Sequence, residues 1–240
     1  MTGLAGYGRA AYADCTLSTP PSTYLCSGAT TDTQSIDADN ATVSTQPGFS
    51  IDTRPPGSGG NAIEIIADGS LSFTDAYQSS ITGQVNGLFV SGEAVTIDVN
   101  GDVTGVEQNG IVAEQLSQGS TGNVTVTAGT GSTVTGGEFG IRALNNSLTG
   151  NLSVTAKGEV RGSAFDGIYA KLGNSSAPTG NLSVTTDAGS YVYGYQDGID
   201  ARNAGRGATR VIVNGDVLGK NEYGLYVGNA NPNATGSMEV

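Results

Sequence analysis

A Gly followed by Ile or Leu recurs along this chain as Gly87-Leu88, Gly110-Ile111, Gly140-Ile141, Gly167-Ile168, Gly198-Ile199 and Gly224-Leu225. The apolar members stand 23, 30, 27, 31 and 26 residues apart. Ile81, Val103, Val134, Val160, Val192 and Val217 each lie two residues before a Gly and seven or eight before the Ile or Leu. Self-similarity at intervals of about 20–50 residues marks a stacked repeat, in which each unit buries its apolar row against its neighbours. A chain of this kind offers long faces and loops instead of one deep cleft.

Within a unit the pattern is that of strands. Gly-Ile-x-Ala at 140–143, 167–170 and 198–201 alternates constant apolar residues with a variable one, and Asn-Leu-Ser-Val-Thr occurs at 151–155 and 181–185. Period-two alternation with Val, Ile and Thr reads as a strand with one buried face. The runs are short and bounded by Gly, Asn, Ser or Asp, which permit sharp corners. Three short strands per unit, with a corner after each, describe one coil of an all-β, right-handed, single-stranded parallel β-helix. About seven to nine coils are expected, with Ile111, Ile141, Ile168 and Ile199 in one inward column and Ala113, Ala143, Ala170 and Ala201 in a second. The middle strands are aligned on Val99, Val126, Val154, Val184 and Val213. The fixed gap from Val to Ile makes one corner rigid. Insertions fall in the other two, the longest at 114–122, 171–180 and 202–210.

Composition narrows the function. The 240 residues include 38 Gly, no Trp and no His, and the formal charge is −12. Without His there is no Ser-His-Asp or Cys-His nucleophile, and the commonest zinc ligand is missing. No cofactor and no metal is expected. Residues 1–141 carry 14 acidic and 2 basic side chains, and residues 142–240 carry 8 of each. An acidic first half would repel nucleic acid.

Cys15 and Cys26, the two cysteines, bracket a segment with hairpin-like turn chemistry. They read as a disulfide formed in an oxidising compartment, stapling a cap over the open end of the first coil. The domain expectation is a leader remnant or expression start at 1–13, a cap hairpin at 14–35, and a β-helix at 36–240. Ala11-Tyr12-Ala13 has the form of a signal-cleavage site, with no apolar stretch before it. The stop at Ser237-Met-Glu-Val240, inside an expected strand, points to a chain truncated at its C-terminus.

Two sets of residues are candidates for function. The first is the outward column Phe89, Val112, Arg142, Tyr169, Asp200, Tyr226, with Tyr191, Tyr193 and Tyr195 on the next edge. Tyr gives contact area with a polar tip, although it also suits any β surface. Lys171, Arg202, Arg206 and Arg210, the last three on one expected loop, are either solvated cations or a contact for an anion or acidic glycan. The second set is Asp166, Asp197 and Asp200. Asp166 and Asp197 each precede a repeated Gly-Ile, so they should stack on adjacent coils and could serve acid–base chemistry on a glycosidic bond. Against that, Asp before Gly is ordinary corner chemistry, and Asn109 fills the same site in an earlier coil. Asn100, Thr127, Thr155, Thr185 and Asn214 read as structural ladders at corners.

Taken together, the early cysteine pair after an Ala-rich leader, the Gly-x-Val-x-Gly elements at 101–105, 158–162 and 215–219, and the Gly-Ile-x-Ala strands resemble the passenger region of a type V secretion autotransporter over residues 14–240. The resemblance implies export through the periplasm to the cell surface or medium, and membrane attachment only through a C-terminal barrel, of which these residues hold no segment. It implies work by binding, to a host-cell or surface glycan or protein, or to another copy of the chain. The alternative is a polysaccharide-acting lyase or glycoside hydrolase on the same scaffold.

Overall fold

The computed structural model describes residues 14–54, 59–173, 179–229, 231 and 235–240. The leader at 1–13 and part of the 171–180 insertion lie outside the described residues. Every regular element described is a strand, and none of it is a helix long and apolar enough to cross a membrane. The strands form three sheets that the chain visits in strict rotation. Sheet I has ten strands, beginning with Asp14–Thr19 and Thr23–Ser27 and including Leu152–Ala156. Sheet II has eight, from Ala29–Thr30 to Asp216–Gly219. Sheet III has eight, from Gln34–Ile36 to Leu225–Asn229. After the first hairpin every pairing is parallel, and each strand pairs with the strand one turn away. The result is a parallel β-solenoid of about seven turns with three strands per coil.

The register places the expected columns where the repeat put them. Leu88, Ile111, Ile141, Ile168, Ile199 and Leu225 stand in one line, and Ala113, Ala143, Ala170 and Ala201 in another. All but Leu225 are buried. The middle-strand alignment needs correction. Val126, Val154 and Val184 share a column with Ile97 and Val211, not with Val99 and Val213. A two-residue slip keeps the same face inward, so apolar alternation alone does not detect it. Among the five coils so aligned, the connections from sheet III to sheet I are shortest at these two, residues 92–93 and 204–208, so the matching residue comes two positions earlier than the Val.

The repeat signature in the sequence is a contact between coils. A Cβ on Gly87, Gly110, Gly140, Gly167 or Gly198 would meet Cγ1 of Val103, Val134, Val160, Val192 or Val217 at 2.5–2.7 Å. Each Gly therefore makes room for the Val of the following coil. The second Gly of each Gly-x-Val-x-Gly closes the same corner. A Cβ on Gly162 would lie 2.0 Å from the carbonyl oxygen of Asp166. Close backbone approach of this kind excludes any side chain, which fixes the length of this corner while the other two accept insertions.

At the N-terminal end, Asp14–Thr19 pairs antiparallel with Thr23–Ser27 across a cis Pro20-Pro21 turn, and Cys15 and Cys26 form a disulfide. Thr23–Ser27 already pairs in parallel with Thr42–Thr45. The Cys15 N–H donates to Gln34 Oε1 at 2.8 Å. Gln34 sits on Ile63 at the end of the inward column and is buried, so a polar group closes the apolar line.

Candidate functional site

The outward positions of sheet III gather most of the candidate residues. One line runs Glu64, Phe89, Val112, Arg142, Tyr169, Asp200, Tyr226, and the next runs Ile66, Ser91, Glu114, Leu144, Lys171, Arg202, Gly228. Arg202 lies two residues beyond Asp200 on the strand Ile199–Asn203, so both side chains leave the same face. The Arg202 Nε donates to both Asp200 oxygens at 2.8 and 2.9 Å, and Nη2 lies 2.5 Å from Oδ2. The guanidinium carbon stands 5.2 Å from the Tyr226 ring centroid and 5.8 Å from that of Tyr169. Arg202 is thus held between two aromatic rings on neighbouring coils, a cation–π arrangement.

This packing covers Asp200, which is 1% exposed although it points outward. Burial pushes its carboxyl above the usual carboxylate value, against the opposing pull of Arg202. The hydrogen bond to Asp200 in turn holds Arg202 further into its charged form. Below them, Phe139 stacks on Phe165 with centroids 5.0 Å apart and lies 5.4 Å from Tyr169. Arg142 pairs with buried Glu114 in the coil beneath its own. Above, Tyr223 and Tyr226 are exposed, with centroids 6.3 Å apart. Lys171, Arg202, Asn203, Ala204, Tyr226 and Asn229 line an open cavity of about 320 Å³.

Asp166 and Asp197 stack on adjacent coils as expected, and both are spent on the corner. Asp166 Oδ1 accepts the Asp197 N–H at 3.0 Å, and Asp197 Oδ1 accepts the Tyr223 N–H at 2.8 Å. Asn61 and Asn86 do the same job in earlier coils, accepting the N–H of Asn86 and Asn109, and the side chains of Asn86 and Asn109 also donate to the Asn before them at 2.8 Å. Burial, chiefly, raises Asp166 to about 6, helped by the charges of Asp200 and Asp197.

The basic loop divides. Arg202 is on sheet III, Arg210 is on the sheet I strand Thr209–Val213, and only Arg206 lies in the connection between them. The strands run further than expected because buried Asn203 turns the corner by itself, its Nδ2 donating to the Gly207 carbonyl and its Oδ1 accepting the Gly205 N–H. Arg210 pairs with Glu239 at 3.0 Å. Likewise Lys171 belongs to the strand Ile168–Leu172, not to a loop. On sheet II, Arg161 lies over Tyr191 and Tyr193, and Lys220 over Tyr195.

Sequence reasoning missed several partners. Phe139 and Phe165 carry no motif, and the Arg142–Glu114 pair joins residues 28 apart. The external ladder is Asn123, Asn151 and Asn181, each accepting the next coil's N–H at 2.8 Å, not Asn100 and Asn214. Thr127, Thr155 and Thr185 do line up, below them with Asp98. The Asn that opens each Asn-Leu-Ser-Val-Thr was the available signal.

No protein-family model, no curated protein and no solved structure matches this chain.

Proposed function

We propose that this chain is the passenger of an exported, surface-displayed autotransporter that acts by binding, through the outward face of sheet III around Tyr169, Lys171, Arg202 and Tyr226. The observation that carries this reading is the Arg202 sandwich. An exposed aromatic–cation surface is held in place by a buried carboxylate, on the outward face of stacked parallel strands. Tyr and Arg are favoured at recognition surfaces. Export agrees with the Cys15–Cys26 disulfide. The partner is a host-cell or surface glycan or protein, or a second copy, and display in many copies on a cell would turn weak contacts into avidity.

A polysaccharide-acting enzyme is the second reading, and the raised value of the Asp166 carboxyl favours it, since a general acid must keep its proton near the working pH. Its weakness is that Asp166 and Asp197 already accept backbone N–H groups, while Asp200 is held by Arg202.

Cells displaying the chain would be scored for adhesion to cultured cells and for settling, with Tyr223→Ala/Tyr226→Ala as the comparison. Adhesion or settling that the double variant weakens is expected. Equal behaviour of both chains, or release of reducing or unsaturated ends from a polysaccharide panel, would overturn the binding reading.

A further inference from the structure

The cavity above Arg202 has a chemistry of its own. Its line of side chains runs Lys171, Arg202, Gly228. A side chain at 228 would extend this line over the guanidinium. Gly leaves the space open, and a Cβ there would come within 3.1–3.5 Å of the Tyr226 ring. The Arg202 Nε and Nη2 face Asp200, which leaves the Nη1 donors turned away from that carboxylate. Lys171, one coil below, makes no ion pair among the described residues, unlike Arg142, Arg161 and Arg210. Tyr226, 40% exposed, supplies an aromatic face beside these cations.

Resting on the binding reading above, we infer that this cavity takes the carboxylate of an acidic saccharide, with a sugar ring lying against Tyr226. Three features favour a saccharide over an acidic peptide. The volume, about 320 Å³, is at the small end for ligand sites and suits a ring-sized group. Beside the two cations the cavity is lined by Asn229, whose side-chain amide is of the kind that holds a hydroxyl. The open face continues along the stacked strands, which suits a chain of like units. The Arg202 Nη1 donors that Asp200 leaves over can bond a carboxylate oxygen, and Lys171 adds a second charge. The corresponding neutral sugar would find the same ring contact and leave Lys171 without a counter-charge and the Arg202 Nη1 donors without a carboxylate.

The test is titration of the purified chain with a hexuronic-acid oligosaccharide, with its neutral hexose counterpart, and with a poly-Glu peptide. The acidic sugar should bind at least about tenfold more tightly than the neutral one, the worth of one hydrogen bond to a charged group. Its affinity should fall with added salt. Lys171→Ala should weaken it about tenfold, and Tyr226→Ala should weaken the acidic and neutral sugars alike. Both side chains are surface residues, and circular dichroism checks that the variants keep their fold. Equal affinity for the two sugars, tighter binding of poly-Glu, or indifference to Lys171→Ala would overturn the inference. If no saccharide binds yet displayed cells still adhere through Tyr223 and Tyr226, the ligand class is wrong and the binding reading stands. If adhesion is absent too, both fall.

Discussion

Asp166 Oδ1 accepts the backbone N–H of Asp197 at 3.0 Å, so two carboxylates on adjacent coils occupy a ladder that Asn fills in the earlier coils. Asn86 accepts the same bond there and donates one to the coil before it, without a buried charge. Burial chiefly raises the Asp166 carboxyl from 3.8 to about 6 in the folded chain, and burial raises Asp200 as well. Between those values the folded state holds a proton that the unfolded state has lost. Stability from this group is therefore full below 3.8 and is lost as the pH rises through about 6. Asp166→Asn should leave stability equal or higher at pH 7, by on the order of 1 kcal/mol. It should also flatten the decline across this window relative to the native chain. Thermal unfolding followed by circular dichroism across the window reads both effects. A variant less stable than the parent at pH 7, or a parent whose stability rises through the window by more than the variant's, would refute the assignment.

Arg202 covers Asp200, a buried carboxylate that points outward from sheet III. Its removal strands that charge, which costs more than the pair contributes. Because Arg202 is half-exposed, the expected loss for Arg202→Ala is about 1–3 kcal/mol in chemical denaturation. Asp200→Asn/Arg202→Ala removes the stranded charge and should recover most of it. If the double variant is no more stable than the single one, the carboxylate is not what Arg202 stabilises.

The coil architecture was legible because its determinants are local and periodic. Alternation named the inward columns, and the constant gap from Val to the Gly-Ile pair fixed one corner. The slip at Val99 and Val213 came from the same periodicity, since a strand displaced by two residues looks identical in sequence. The site was half legible. The line of Arg142, Tyr169, Asp200 and Tyr226 followed from register alone. What failed were boundaries set by buried Asn side chains. Asn203 and its counterpart Asn145 are fully buried and turn the chain by bonding loop groups. Asn in a Gly-rich stretch reads as loop, which puts Arg202 and Arg210 in an insertion; in the coil of Lys171 the same position is Leu172. Asp75 is a similar case. It is fully buried and accepts from the hydroxyls of Thr45 and Ser79 at 2.6 and 2.7 Å, partners 30 and 4 residues away that no motif joins.

The Gly before each Ile carries a sharp expectation. A Cβ on Gly167 would lie 2.7 Å from the carbonyl oxygens of Gly198 and Tyr193 and from Val192 Cγ1. Two of the three are backbone atoms tied into parallel ladders, so they yield little. Gly167→Ala should destabilise by about 1–3 kcal/mol through overpacking. Gly119→Ala, where nothing lies within 4 Å, should change stability by no more than about 0.5 kcal/mol. Denaturant midpoints for the pair decide the matter. Equal midpoints would mean that the coils can part to admit a methyl group, against the close packing described above.

The N-terminal disulfide ties the antiparallel strand Asp14–Thr19 over the edge of Thr23–Ser27, the first parallel strand of sheet I. An uncovered edge offers unpaired backbone groups to another chain. Cross-linking residues 11 apart removes unfolded-state freedom worth roughly 2–3 kcal/mol. Cys15→Ala/Cys26→Ala should lose about that much if unfolding is cooperative, and less if the hairpin frays by itself from a solenoid whose coils hold only their neighbours. Amide exchange separates the two. Fraying would speed exchange at Thr23–Ser27 and leave Leu152–Ala156 protected, whereas cooperative loss would speed both. Exchange unchanged at both strands would show that the Cys15 N–H bond to Gln34 and the strand pairing hold the cap without the sulfur bridge.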